Sequence, residues 1–132
     1  MSILLAANIA LVLTAPAQVN SGVSSATSAQ IANRKITTPA GVDFSCDTFR
    51  GRLIIGGLPM PVTQIRIRSS VFFEKEGGAK ISVPSFSPEL WRFGSSRSPM
   101  RIYMGKSAQI VSPNPRIVTF IRSCANASRK TY

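Results

Sequence analysis

Eleven arginines carry most of the chemistry in this sequence, and four of them stand in pairs two residues apart: Arg50 with Arg52, and Arg66 with Arg68. On a β-strand alternate side chains share a face, so each pair would set two guanidinium groups side by side. A planar guanidinium grips a phosphate through two parallel hydrogen bonds, where a lysine ammonium offers a point charge. Two such strands laid next to each other would make an arginine face that binds a phosphate backbone without reading bases. Lys80, on an expected return strand, would extend that face. Phe72 falls on the same side as Arg66 and Arg68, and Tyr103 lies two residues from Arg101. Aromatic rings among arginines are where unstacked bases sit, and Trp91 beside Arg92 fits the same description. Nucleic-acid-binding roles are therefore expected for Arg50, Arg52, Arg66, Arg68, Phe72, Lys80 and Arg101. The competing reading buries the aromatics in the core and leaves the arginines on a solvated face.

Catalytic chemistry is poorly supplied. The chain has no histidine, so the commonest general base near neutral pH is missing. Its five carboxylates include no pair whose spacing argues for acid–base work. Gly105-Lys106-Ser107 resembles the end of a phosphate-binding loop, but the glycine such a loop needs five positions upstream is Met100. The 18 serines and five lysines allow many chance Ser–Lys pairs and single out none. Cys46 and Cys124 are the only cysteines, and without histidine or a C-x-x-C spacing they do not suggest zinc. They either form a disulfide, which the chain-entropy argument values at about 4 kcal/mol, or remain reduced as small core residues. No cofactor, metal or small-molecule substrate is expected. Asn126-Ala127-Ser128 matches a glycosylation sequon that matters only in an exported chain, and Ser98-Pro99 is a weak phosphorylation motif.

The elements that must position these residues follow from composition and pattern. Hydrophobic residues make up 44% of the 132, too many for a disordered chain, and one domain of modest core is expected. The formal charge is +11, yet no charged side chain precedes Arg34. Within the uncharged residues 1–33, Ile3 to Leu13 is apolar apart from Asn8, and Ala15-Pro16-Ala17 follows. That has the shape of a secretory signal cleaved after Ala17, although Met1-Ser2 lacks the usual cation. It is too short to span a membrane as a helix. The alternative is a strand or arm packing against another subunit. Residues 20–32 suit a linker or a short weak helix, and residues 37–41 a loop.

From Arg52 onward the pattern reads as strands. Thr63 to Phe73 alternates, with Ile65, Ile67, Val71 and Phe73 on one face and Gln64, Arg66, Arg68 and Ser70 on the other. Glu74 to Gly78 reads as a hairpin loop and Ala79 to Val83 as its return strand. Ser87-Pro88 reads as the N-cap and first position of a short helical turn, and Gly94 to Pro99 as an exposed basic loop. Further strands are expected at Met100 to Met104, Ala108 to Val111 and Arg116 to Arg122, before a frayed tail over residues 128–132. No long amphipathic helix is evident. The expected fold is all-β, mainly antiparallel, as a sandwich, barrel or single curved sheet with few or short helices.

Together these features imply a structural, self-assembling protein that packs against nucleic acid, RNA rather than DNA, with a virus coat protein as the concrete expectation. The uncharged N-terminal segment would bury subunit contacts in a homo-oligomer, within a virion or a cytoplasmic nucleoprotein assembly. Anionic membrane surfaces and acidic proteins are weaker candidate partners. One alternative is an exported β-domain with a Cys46–Cys124 bridge, acting as a toxin, inhibitor or surface-binding module. A second is a basic ribosome-type subunit.

Overall fold

The computed structural model describes residues 28–131, so both readings of residues 1–17 lie outside the described residues. After a short helix α1 (Ser28–Ala32), the chain forms seven strands: β1 (Lys35–Thr37), β2 (Asp43–Asp47), β3 (Arg52–Gly56), β4 (Gln64–Ile67), β5 (Ser69–Val71), β6 (Glu74–Gly77) and β7 (Lys80–Pro84). Helix α2 (Pro88–Ser95) follows, then β8 (Met100–Met104), β9 (Ser107–Val111) and helix α3 (Pro115–Thr131). Every strand pairing is antiparallel. The strands form a five-stranded sheet ordered β1-β2-β3-β7-β6 and a four-stranded sheet ordered β5-β4-β8-β9. The fold is all-β with few helices.

Alternation decides which way each strand faces. Phe44, Cys46, Leu53, Ile55, Ile81 and Val83 turn inward from the first sheet, and Ile65, Ile67, Val71, Met100, Ile102 and Val111 from the second. Both sets join the helices in one contiguous core. Helix α3 packs on β2, β3 and α1, while α2 lies against β4 and α3. Ser87 caps α2 as its sequence implies, its side chain accepting from the Leu90 amide at 3.3 Å, with Pro88 in the first turn.

Four expectations are corrected. Arg116 to Arg122 is not a strand: it belongs to the 17-residue α3, and the tail is helical through Thr131. Asn114 opens that helix, its Oδ1 accepting from the Ile117 amide at 3.0 Å, ahead of Pro115. Ile117, Phe120, Ile121, Cys124, Ala127 and Ser128 are buried, which is the spacing of one helical face and not of a strand. Thr63 to Phe73 is not one strand but the hairpin β4–β5, folded back at Arg68, with Ile65 opposite Val71. Because the turn conserves the alternation, the expected inward set is preserved. Glu74 to Gly77 is a strand rather than a loop, and the turn comes one step later, at Gly78-Ala79. Strands β1 and β2 were not among the expected elements at all.

Candidate nucleic-acid interface

The outer face of the four-stranded sheet is built by β4 and β8. Arg66 stands directly opposite Arg101, with Ser70 beyond Arg66 and Ile110 beyond Arg101. The next row sets Gln64 opposite Tyr103 and Tyr103 opposite Ala108. Gln64 Nε2 donates to Ser70 Oγ at 2.8 Å, fixing the edge of this face. Arg66 and Arg101 are exposed. Phe72, one step past inward-facing Val71, is 83% exposed, and Ile110 is 55% exposed.

Arg68 and Arg97 are the only described non-glycine residues with positive φ, at 72° and 54°. A side chain in the left-handed region costs energy that glycine avoids, so both positions hold arginine at a conformational penalty. Arg68 follows the end of β4 and Arg97 precedes the start of β8. In an antiparallel pair those ends coincide, so the two strained arginines flank the end of the sheet nearest the Arg66–Arg101 pair. At the opposite end, Gly105-Lys106 makes the tight β8–β9 turn, with Gly105 at φ 67° and Lys106 exposed. The resemblance to a phosphate-binding loop is therefore a hairpin tip.

No acidic residue occurs anywhere on this sheet. Asp43, Asp47, Glu74 and Glu76 all belong to the five-stranded sheet, and Glu89 to α2. Like charges directly opposed across strands are destabilising, and Arg66 and Arg101 have no carboxylate on their own sheet to offset that.

The other expected pair behaves differently. Arg50 sits in the β2–β3 turn and Arg52 on β3, which lies in a different sheet from β4. The expected single face carrying all four arginines does not form. The acids do reach Arg50 and Arg52. Arg50 donates to Asp47 Oδ2 at 2.7 Å and, fork-like, to Glu76 Oε1 at 2.7 Å and Oε2 at 3.2 Å. Arg52 donates from Nε to Ser82 Oγ at 2.7 Å and from Nη2 to the Ser82 carbonyl at 3.0 Å, and Glu74 lies 3.9 Å away. Ser82 Oγ in turn donates a hydrogen bond to Glu76 Oε2 at 2.7 Å. Hydrogen bonds from Arg50 above all hold the Asp47 and Glu76 carboxyls below the ordinary carboxylate range, and raise the Arg50 guanidinium further. Two arginines thus face three carboxylates, so Arg50 and Arg52 find their counter-charge within the fold. Lys80 also lies on the five-stranded sheet, beside Gly56 with Asp43 on the other flank, away from Arg66.

The structure therefore pairs Arg66 with Arg101 on the outer face of the four-stranded sheet, with Arg68 in the β4–β5 turn and Phe72 exposed just past β5, and assigns Arg50, Arg52 and Lys80 to the other sheet. Ile110 joins the outer face beside Arg101, while Arg97 and Lys106 lie at the two ends of β8, and none of the three was among the expected nucleic-acid-binding residues. The signal for Ile110 was the β8–β9 hairpin register, which places it opposite Arg101.

Cys46 on β2 and Cys124 on α3 form a disulfide with Cα atoms 5.6 Å apart. Ser128 of the glycosylation sequon is buried inside α3, donating to the Cys124 carbonyl at 2.8 Å, so the tripeptide is not presented as an extended loop. No protein-family model matches the chain, and neither a curated protein nor a solved structure is detectably similar to it.

Proposed function

We propose that this chain is a structural, self-assembling protein that packs against nucleic acid, as a virus coat protein does, and that it touches the polymer with the outer face of its four-stranded sheet. The observation that carries this reading is the opposed Arg66–Arg101 pair on a sheet with no carboxylate. An external polyanion supplies the counter-charge that the sheet lacks, and phosphates suit the guanidinium fork. Arg68 and Arg97 extend the cationic edge, and Phe72 offers a ring for an unstacked base. The mode is backbone contact without base reading, on single-stranded RNA. The uncharged N-terminal segment is assigned the subunit contacts.

The salt dependence of RNA binding tests this. Affinity should fall steeply with salt, and the double variant Arg66→Ala/Arg101→Ala should lower the log–log slope by about 1.5 units, at about 0.7–0.9 per phosphate neutralised. An unchanged slope would place the interface elsewhere. Native mass spectrometry of protein purified without nuclease should give a large, uniform particle carrying nucleic acid.

A second reading, an exported β-domain acting as a toxin, inhibitor or surface-binding module, is favoured by the Cys46–Cys124 bridge, since disulfides persist mainly in oxidising compartments. It predicts a nucleic-acid-free monomer lighter by residues 1–17.

A further inference from the structure

A groove with a volume of about 340 Å³ opens between α2 and α3. The two helices meet at Gly94, where an added Cβ would lie 2.9 Å from Val118 Cγ1. From that contact the groove runs past Trp91 and Arg122 to Phe86 and Arg129. The guanidinium of Arg122 lies over the Trp91 ring, 5.2 Å from its centroid, and that of Arg129 over Phe86 at 5.5 Å. Arg122 and Arg129 lie along α3, Trp91 on α2 and Phe86 just ahead of its cap, so the two stacks line one furrow. Its floor is apolar, formed by the buried Leu90, Phe93 and Ile121, yet Trp91 remains 61% and Phe86 43% exposed. No acidic side chain lines it.

A single exposed cation–π contact contributes only about 0.5–1 kcal/mol and explains little by itself. Two in sequence, above an apolar floor and without a counter-charge, have a definite complement. An inorganic anion would satisfy the arginines and leave the rings and floor wet. An uncharged apolar ligand would cover the floor and strand the guanidiniums. A flat ring bearing a phosphate satisfies both, and the groove has the size at which small-ligand sites begin, about 300 Å³. We infer that this groove binds one nucleotide unit, the base stacked on Trp91 or Phe86 and the phosphate held by Arg122 and Arg129. The same chemistry is offered by a free mononucleotide and by one unit of a single strand. The site is separate from the four-stranded sheet and does not depend on that sheet's role.

Trp91 is the only tryptophan in the chain, so its emission reports on this groove alone. The experiment titrates the full-length protein with a nucleoside monophosphate, with a short single-stranded oligonucleotide and with inorganic phosphate. Saturable quenching by the mononucleotide is expected if the free ligand is bound, and by the oligonucleotide only if the strand is the source. Either result supports the site provided that Arg122→Gln and Arg129→Gln each weaken it by about tenfold, the loss of one charge-assisted contact, and that Phe86→Ala weakens it too. Circular dichroism identifies any variant that has lost its fold. Arg66→Ala/Arg101→Ala should leave the mononucleotide's quenching intact, which separates this site from the sheet interface. The inference is overturned if neither nucleotide probe quenches, or if phosphate alone competes equally well. It is also overturned if quenching survives both arginine variants, or if only an apolar peptide of residues 3–13 shifts the emission.

Discussion

The guanidinium of Arg50 forks onto both carboxylate oxygens of Glu76, at 2.7 and 3.2 Å, and thereby ties the β2–β3 turn to the edge strand β6. These residues are 26 positions apart in the chain and meet only because β7 pairs with β3 and carries β6 beside it. Arg50 is 41% exposed, so the contact is worth about 1 kcal/mol at most, and its effect is to hold an edge in register.

The network sets a pH dependence. Glu76 and Asp47 titrate below their unfolded values, so their contribution to stability is fully present above about pH 4–5 and is lost as pH falls through the lowered folded values. Urea midpoints measured between neutral pH and strong acid should therefore decline on the acid side. Glu76→Gln should flatten part of that decline. An identical acid limb in the variant would mean that the ion pair contributes nothing in solution.

Arg68 separates function from stability. Its φ of 72° suits glycine, so Arg68→Gly should raise stability by about 1 kcal/mol, measured by chemical denaturation. The same variant should bind RNA more weakly. A gain in stability with unchanged RNA affinity would remove Arg68 from the interface.

The Cys46–Cys124 bridge closes a loop spanning 78 positions, and reduction should cost about 4 kcal/mol. Denaturation with and without reductant, compared with a Cys46→Ala/Cys124→Ala variant, checks this. Equal midpoints under all three conditions would show that the thiols are not joined in the purified protein.

The helical nature of α3 can be read from paired truncations. Phe120 is buried and Thr119 exposed, so Phe120→Ala should destabilise by about 3–5 kcal/mol while Thr119→Ala stays within about 0.5 kcal/mol. A strand through Ile117, Thr119 and Ile121 would make position 119 the sensitive one.

Local features were legible in the sequence because they depend on neighbours. The inward set Ile65, Ile67 and Val71 survives the turn at Arg68, since a hairpin folds a period-two pattern onto itself. Ser87-Pro88 announces α2 through a cap that needs only three residues. The cysteine pairing had a single candidate, though not a certain outcome. Helix α3 was hidden by β-branched Ile117, Val118 and Thr119, whose strand preference masked a clear helical spacing at Ile117, Phe120, Ile121 and Cys124. The assignment of arginines to surfaces was not legible, because it depends on which strands share a sheet. Nothing local states that β3 pairs with β7, and without that pairing Glu74 and Glu76 have no reason to meet Arg50 and Arg52.

The gathering of four of the five acids onto one sheet also poles the molecule. Near the five-stranded sheet, basic and acidic side chains almost cancel, so the surplus of positive charge resides elsewhere on the body. An approaching polyanion then exerts a torque as well as an attraction, rotating the protein before any contact is made. Orientation during diffusion shortens the search for a productive encounter, and its benefit fades once ions screen it beyond about 8 Å at physiological salt. Ionic strength would then act first on the rate of association and less on the lifetime of the complex.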